Sequence, residues 1–538
     1  MRRVSFWSGL FVGALTSVLA LALLELGAAA WKFPFVPFDM FEWITRILPG
    51  LLITAGIDVM VSLISALGIR PTSVAAKLAE QGMAILVFVV GSAILGGLVA
   101  LVSRGRTRIA LVAGVVAGAL LLTAGIEAAS RRGEPSTAAI VWLAAVLLGW
   151  GALCGGLLAT RASIARKTHG MPARAERGRR NFLLGSIAGV AGASAALFAI
   201  ARRLRPEAIA ARGPTGRAAR LRDISGTTGP AASPRADVLA RRIMPVQGTR
   251  PELTPNSSFY RIDINLEPPR VNAEEWRLGV EGLVDHPLSL SLDEIRRMPA
   301  VSQVITLECI SNRVGGDLIG TSLWTGVRLR ELLDRAGLQQ NARAVHIRAA
   351  DGFYESVELA DMNDPRTLLV YEMNREPLAD IHGFPLRIYI PNRHGMKQPK
   401  WITKLHVADR DGPGYWVERG WSAKAIPHTT SVIDVVDKPL DRGGTRVVPV
   451  GGIAYAGARG ISRVEVQVDG GAWEPASLIA PPLSPLCWVL WRYEWPYKAG
   501  KHTFRVRAFD GTGAAQEVRV EPPHPDGATG IDELVAKV

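Results

Sequence analysis

The chain has 538 residues, 48% of them hydrophobic, and 62 Lys and Arg against 48 Asp and Glu for a net charge of +14. That length calls for more than one domain. The positive excess sits beside apolar runs and in one linker rather than in a basic stripe interleaved with aromatics, which speaks against a nucleic-acid surface.

Six apolar segments fill the first 201 residues, at 4–29, 47–69, 84–102, 109–128, 138–159 and 182–201. Each is near the roughly 20 residues that a helix needs to cross a bilayer. Their Gly and Ala content suits helices packed closely in lipid. The stretch WKFPFVPFDMFEWI, between the first two, has the aromatic composition of a membrane–water interface. Arg104, Arg106 and Arg108 follow the third segment; Arg161, Arg166, Lys167, Arg174, Arg177, Arg179 and Arg180 follow the fifth. Positive loops stay in the cytoplasm, and the two crossings between these loops agree with that. Arg2 and Arg3 favour a cytoplasmic terminus, yet five crossings before Arg161 place it outside. Either the terminus is outside or one early segment does not cross; 47–69, with Pro49 and Asp58, is the candidate. Asp58 is either a functional intramembrane acid or an acid near a helix end. No histidine lies in the six segments, so a membrane haem held by two histidines is not expected. Arg179-Arg180-Asn181-Phe182-Leu183-Leu184 resembles an internal twin-arginine export signal; the alternative is two ordinary positive-inside arginines. These signs place the soluble half outside the cytoplasm, on a multi-pass anchor in lipid.

Residues 202–255, rich in Arg, Ala, Pro and Gly, read as a tether. A soluble domain is expected over 256–425. It has a strand–turn–strand at 276–284, a short helix at 292–298, and a helix at 329–336 closed by Gly337. A strand at 345–349 runs into the turn Asp351-Gly352-Phe353-Tyr354. From 426 to 525, period-two alternation with the turn Asp469-Gly470-Gly471 argues a β-sandwich, and 526–538 reads as a tail. There are three cysteines and no CxxC. Cys154 and Cys487 lie in apolar surroundings and read as packing residues. Cys309 ends an apolar strand, before Asn312, Arg313 and the Gly315-Gly316 turn. It is either a small buried hydrophobe or a thiolate for a soft or high-valent metal. A lone cysteine cannot complete a zinc or iron–sulfur site, so any metal there needs ligands from a bound cofactor.

The run Leu307-Glu308-Cys309-Ile310-Ser311-Asn312-Arg313, with Trp324-Thr325-Gly326-Val327, resembles the molybdenum-ligand segment of the sulfite oxidase family. Further likenesses fall at Phe259-Tyr260-Arg261, at His382-Gly383-Phe384-Pro385-Leu386-Arg387, at Gly395 to Trp401 and at Tyr415 to Trp421. The apolar segments read as an α-helical transmembrane bundle, and after it the resemblance implies an α+β molybdopterin domain and an immunoglobulin-like domain, with a homodimer through the last. It implies a molybdenum–molybdopterin cofactor with Cys309 as the metal ligand. It places Tyr260, Arg261, Asp351, His382, Arg387, Lys397 and Lys400 at the cofactor, and Asn312, Arg313, Arg261 and Trp421 at the substrate. Bland readings stand beside these: a surface Arg261, a turn Asp351, a structural His382. Val314 stands where the family has a further arginine, 315–323 holds no lysine, and Trp421 replaces a tyrosine. The anion cage is therefore incomplete and the substrate open. No haem-binding segment is present, so electrons pass through a separate carrier, a cytochrome or a quinone-linked one. The leading expectation is oxygen-atom and two-electron transfer on a small oxo-anion or oxide. The rivals are a sulfoxide-type reductase and a non-catalytic membrane protein that binds a partner.

Overall fold

Seven helices open the chain: α1 Phe6–Trp31, α2 Val36–Ile47, α3 Gly50–Ala66, α4 Thr72–Ser103, α5 Thr107–Ser130, α6 Thr137–Lys167 and α7 Pro172–Leu204. The computed structural model describes residues 5–67, 69–104, 106–131, 134–167, 172–204 and 242–538. Among the described residues five helices are long and apolar enough to cross a membrane: α1, α4, α5, α6 and α7. Of the six apolar segments, 47–69 is the one without such a helix. Leu48, just before Pro49, is extended, as a residue preceding proline prefers, so the apolar run breaks and leaves α3 with 17 residues. That is at the lower edge of what a span needs, and α3 is not among the five. Small residues let the spans approach: Gly114 and Gly118 of α5 meet the α6 backbone at Leu147, Gly151 and Gly155. Cys154 is buried among these helices, as a packing cysteine should be. The side chains of Asp58, Arg179 and Arg180 lie outside the described residues, as does 205–241, most of the expected tether.

The chain forms two compact units, Met1–Pro49 with Ala76–Ala210, and Gly50–Ala75 with Ala211–Val538. α3 thus belongs with the soluble half. In that unit the strands run β1 Leu278–Gly282, β2 Leu288–Leu290, β3 Ala300–Glu308, β4 Ile319–Arg328, β5 Ala344–Ala349, β6 Tyr354–Glu358, β7 Leu368–Met373, β8 Glu376–Pro377, β9 Arg387–Tyr389 and β10 Ile402–Ala408. One sheet has the order β2-β1-β10-β5-β6, with β1 and β10 parallel. The other has the order β3-β4-β7-β8, with β9 on β7. The two share an apolar core with the helices Leu292–Arg296 and Leu329–Ala336. Ser291 and Glu294 form a capping box on the first, and Gly337, at φ +70°, closes the second.

Beyond residue 430 two further sheets enclose one core, in which Val448, Val450 and Trp491 of one meet Val464, Phe504 and Val506 of the other. Two expected boundaries move. Residues 242–255 are packed rather than loose: Val246 is buried and Arg242 pairs with Glu252 at 2.6 Å. Residues 526–538 are not merely a tail, because Asp532–Lys537 adds an edge strand to the strand Lys501–Asp510.

Candidate active site

β3 and β4 pair in register from Ala300↔Val327 to Glu308↔Ile319, and the loop between them presents Cys309. The loop is tightly closed. Cys309 N donates to the Leu318 carbonyl at 2.9 Å, and Gly316 N donates to the Arg313 carbonyl at 2.8 Å. Gly315 adopts φ +73°, a conformation that costs glycine little. Asn312 uses both ends of its amide here: Nδ2 donates to Glu308 Oε1 at 3.0 Å and Oδ1 accepts from Leu318 N at 3.0 Å. It builds the loop rather than facing a substrate. Cys309 is 8% exposed, with Sγ 3.0 Å from Ser311 Oγ, and burial pushes its thiol up from the ordinary range. Its neighbour Glu308 is pushed up to about 7 by burial, against the pull of the Asn312 bond.

Tyr260 links this thiol to a basic cluster. Burial first, then the charge of Cys309, raises the Tyr260 phenol, while the Arg387 guanidinium lowers it. A methyl on Gly395 would lie 3.2 Å from the Tyr260 hydroxyl and 3.6 Å from the Glu308 carbonyl, so the backbone at 395 comes close to the thiol strand. Around residues 381–383, Arg387 Nη1 donates to the His382 carbonyl at 3.2 Å and Lys400 Nζ to the Ile381 carbonyl at 3.1 Å. Lys400 and Arg261 both pair with the buried Asp263 carboxylate, so two cations share one anion. Arg387 has no ion-pair partner among the described residues. It lies over the Trp324 ring at 5.0 Å, and burial brings it down to about 10. A buried cation without a carboxylate is costly unless an anion from elsewhere joins it.

Other expected site residues are spent on the protein. His382 Nε2 donates to the Asn256 carbonyl at 3.1 Å, and burial brings the ring down to about 4, so it is neutral near pH 7. Asp351 Oδ1 accepts from Phe353 N at 2.9 Å, the bond of an ordinary Asx turn. Lys397 donates to Glu355 at 2.7 Å and to the Ser356 carbonyl at 3.1 Å, deep in the core. Arg313 Nη2 donates to Ser62 Oγ of α3 at 2.7 Å, while its Nε is buried without a partner.

Trp421 stands on the far side of the thiol loop, packed with Ile310, Met396 and Ala425. Its Nε1 is buried and has no hydrogen-bond partner. Two histidines that sequence reasoning missed come close. His524 stacks edge-on to Trp421 at 5.0 Å, and its Nε2 is also unpartnered. His394 Nδ1 donates to the Glu308 carbonyl at 3.3 Å, which leaves a buried, unpartnered Nε2. Burial brings His394 down to about 3, so its ring is neutral. The signal for His394 was its place beside Gly395; His524 carried none, because it returns from the far end of the chain. Among the described residues no group of three or more His, Cys, Asp or Glu could hold a metal ion. A metal at Cys309 therefore needs cofactor ligands. The unpaired Arg387, the surplus of cations and the orphaned Trp421 and His394 nitrogens fit an anionic cofactor carrying a small polar ligand.

Comparison with known proteins agrees with this chemistry. The family model described as "Oxidoreductase molybdopterin binding domain" matches residues 265–416. Sulfite oxidase of Gallus gallus is 30% identical over 339 residues, 54% of this chain and 72% of that protein. The mitochondrial sulfite oxidase of Homo sapiens is 28% identical over 302 residues, 47% of this chain and 55% of that protein. The uncharacterized oxidoreductase YuiH of Bacillus subtilis is 31% identical over 153 residues, 28% of this chain and 75% of that protein. The chain thus spans about half the length of the mammalian relatives it matches. Among solved structures, sulfane dehydrogenase SoxCD of Paracoccus pantotrophus is 22% identical with a TM-score of 0.48, covering 54% of this chain and 82% of that one.

Proposed function

The chain belongs to the sulfite oxidase family of molybdopterin-dependent oxidoreductases, and on that premise we propose that it is a membrane-anchored oxidoreductase acting on a small oxo-anion or oxide. One observation carries the reading: Arg387, over the Trp324 ring, is a buried cation with no ion-pair partner among the described residues. Bound molybdenum–pterin supplies oxygen-atom transfer coupled to two electrons. Cys309 offers the protein's thiolate to the metal. Burial keeps the thiol protonated until the metal binds, so loading releases a proton. Arg387, Lys400 and Arg261 neutralise the anionic end of the cofactor, and Arg suits phosphate oxygens through its two parallel donors. The Cys309 loop, locked by Asn312, fixes the position of the sulfur.

A second reading concerns the substrate. The polar groups at Trp421 are its indole N–H and the His524 imidazole, and the neutral His394 ring sits on the Glu308 carbonyl beside Cys309. Arg313, the cation of that loop, is tied to Ser62. This favours an uncharged polar oxide, reduced as in sulfoxide-type chemistry, over a dianion.

The anchor follows from five crossings. With α3 not crossing, Arg2 and Arg3, the 104–108 loop and the 161–180 loop all fall on the cytoplasmic side. Residues 32–71 and everything after α7 then fall outside. The Arg179-Arg180 pair, at the head of the last span, is the export address, and replacing both by Lys should leave the soluble half inside. A separate cytochrome or quinone-linked carrier exchanges the electrons.

The test is X-ray absorption at the molybdenum edge on purified wild type and Cys309→Ser. The wild type should hold about one molybdenum per chain, and the variant one sulfur neighbour fewer. Absence of molybdenum would point to the non-catalytic alternative, and an unchanged sulfur count would place the ligand elsewhere. Assays of sulfite oxidation and sulfoxide reduction on the same preparation separate the two substrate readings.

A further inference from the structure

α3 is not among the helices long and apolar enough to cross a membrane, yet it is not an ordinary water-facing helix. One side is fixed to the two loops that carry Arg313 and Trp421. Ser62 Oγ accepts from Arg313 at 2.7 Å, and Thr54 Oγ1 donates to the Arg419 carbonyl at 3.4 Å. Gly50 abuts Arg419 so closely that a methyl there would lie 2.9 Å from its Cα. Just past the helix, Thr72 N donates to Asp317 at 2.9 Å, and Arg70 reaches the Gly315 carbonyl at 3.4 Å. Thr54, Val61 and Ile64 are buried, at helical spacing on one face. On the opposite face Leu52, Val59, Leu63 and Leu67 recur at intervals of seven, four and four, and are 61%, 69%, 60% and 64% exposed. An uncovered stripe of four large apolar side chains needs an occupant.

We propose that lipid covers this stripe: α3 lies in the boundary between headgroups and acyl chains and holds the 309–318 and 415–421 loops at the bilayer surface. The inference rests on the membrane-anchored reading and adds to it where the catalytic loops are seated. Both ends of α3 continue into membrane-type sequence. Before it comes the aromatic stretch at 31–43, and after it α4, long and apolar enough to cross. Five crossings put α3 on the same side as the soluble half, and the structure groups it with that half. The described side chains of the stripe carry no charge, so they suit acyl chains and give a protein partner nothing to steer or register by. The opposite face, which a free interfacial helix would fill with charges, is here covered by the catalytic unit.

The test uses the full chain, loaded with cofactor, in nanodiscs of phosphatidylcholine and phosphatidylglycerol. The native cysteines are buried, so single cysteines at exposed sites take a nitroxide label selectively. Labels go on Val59→Cys and Leu63→Cys, with Val112→Cys on α5 as the lipid reference and Val520→Cys on the soluble unit as the water reference; both reference positions are exposed. Relaxation by oxygen should exceed relaxation by a water-soluble nickel chelate at 59 and 63, as at 112, and the order should reverse at 520. A nickel-dominated profile at 59 and 63 with a lipid profile at 112 overturns the inference and leaves the anchor standing. Labels at 59 and 63 shielded from both reagents show a protein occupant and overturn it as well. A nickel-dominated profile at 112 removes the anchor, and this inference with it.

Discussion

Arg387→Met separates a residue kept for the fold from one kept for a ligand. The guanidinium is buried, with the His382 carbonyl and the Trp324 face as its neighbours. Burial brings it down from its ordinary value to about 10, a penalty of ~3 kcal/mol on the charged form. Methionine removes that penalty at similar volume and gives up the carbonyl bond, ~1.5 kcal/mol, together with a smaller cation–π contribution. Cofactor-free protein should therefore gain about 1 kcal/mol, and its melting temperature should rise by about 2–4 °C. Loaded protein loses a charge-assisted bond to the cofactor, ~1.5–3 kcal/mol. Cofactor affinity should then fall by roughly one to two decades, since the burial penalty is relieved in both forms and only the lost bond bears on binding. Melting curves of both forms, with molybdenum content measured alongside, read this out. A cofactor-free variant that melts well below wild type would mean that Arg387 is a structural residue, and the anion-site reasoning would fail.

Lys397→Met should behave in the opposite way. It leaves Glu355 buried without its cation, and the cofactor-free protein should lose about 3–5 kcal/mol in chemical denaturation, recovered in part by Lys397→Met with Glu355→Leu. His382 has a folded value of about 4, below its ordinary 6.5, so the unfolded chain binds the extra proton between those values. Its contribution is complete above pH 6.5 and is lost as pH falls toward 4, at ~1.4 kcal/mol per pH unit. The stability difference between wild type and His382→Gln should shrink by that slope, and parallel curves would contradict it. Asn312→Ala strands the Leu318 N–H and removes the donor to Glu308, costing about 2–4 kcal/mol in the same denaturation assay and raising the Glu308 carboxyl further. A loss under 1 kcal/mol would show that the loop holds without it.

Local order was legible because its causes are local. The helix 329–336 ends where Gly337 can turn left-handed, and the Cys309 strand reads as an apolar run closed by a glycine turn. The segment 47–69 was suspect from the loop charges and from Pro49 and Asp58, and the helix does break at Leu48. What did not follow was the partner of each polar group. Lys397 and Lys400 stand three residues apart in the same motif, and nothing in their spacing distinguishes them. The distinction comes from outside it: β6 delivers Glu355 to Lys397, and Asp263 reaches Lys400 from an earlier loop.

The same physics explains which side of the site was invisible. A cation's role depends on which carboxylate arrives from another strand, and that is fixed by topology, not by neighbours in sequence. Arg387 stays open to a ligand because no acid among the described residues pairs with it, while Asp351 and Lys397 are engaged by a turn and by an acid. The side near Trp421 depends on still longer returns. His524 arrives from the carboxy-terminal stretch, and Ser62 arrives from a helix about 250 residues before the Arg313 it meets. On the proposed reading, substrate choice rests on the contacts whose sequence separation is largest, and cofactor binding on a compact set within 260–400. Those long-range contacts are also the ones that can diverge without disturbing the cofactor, since none of them touches Arg387 or Lys400.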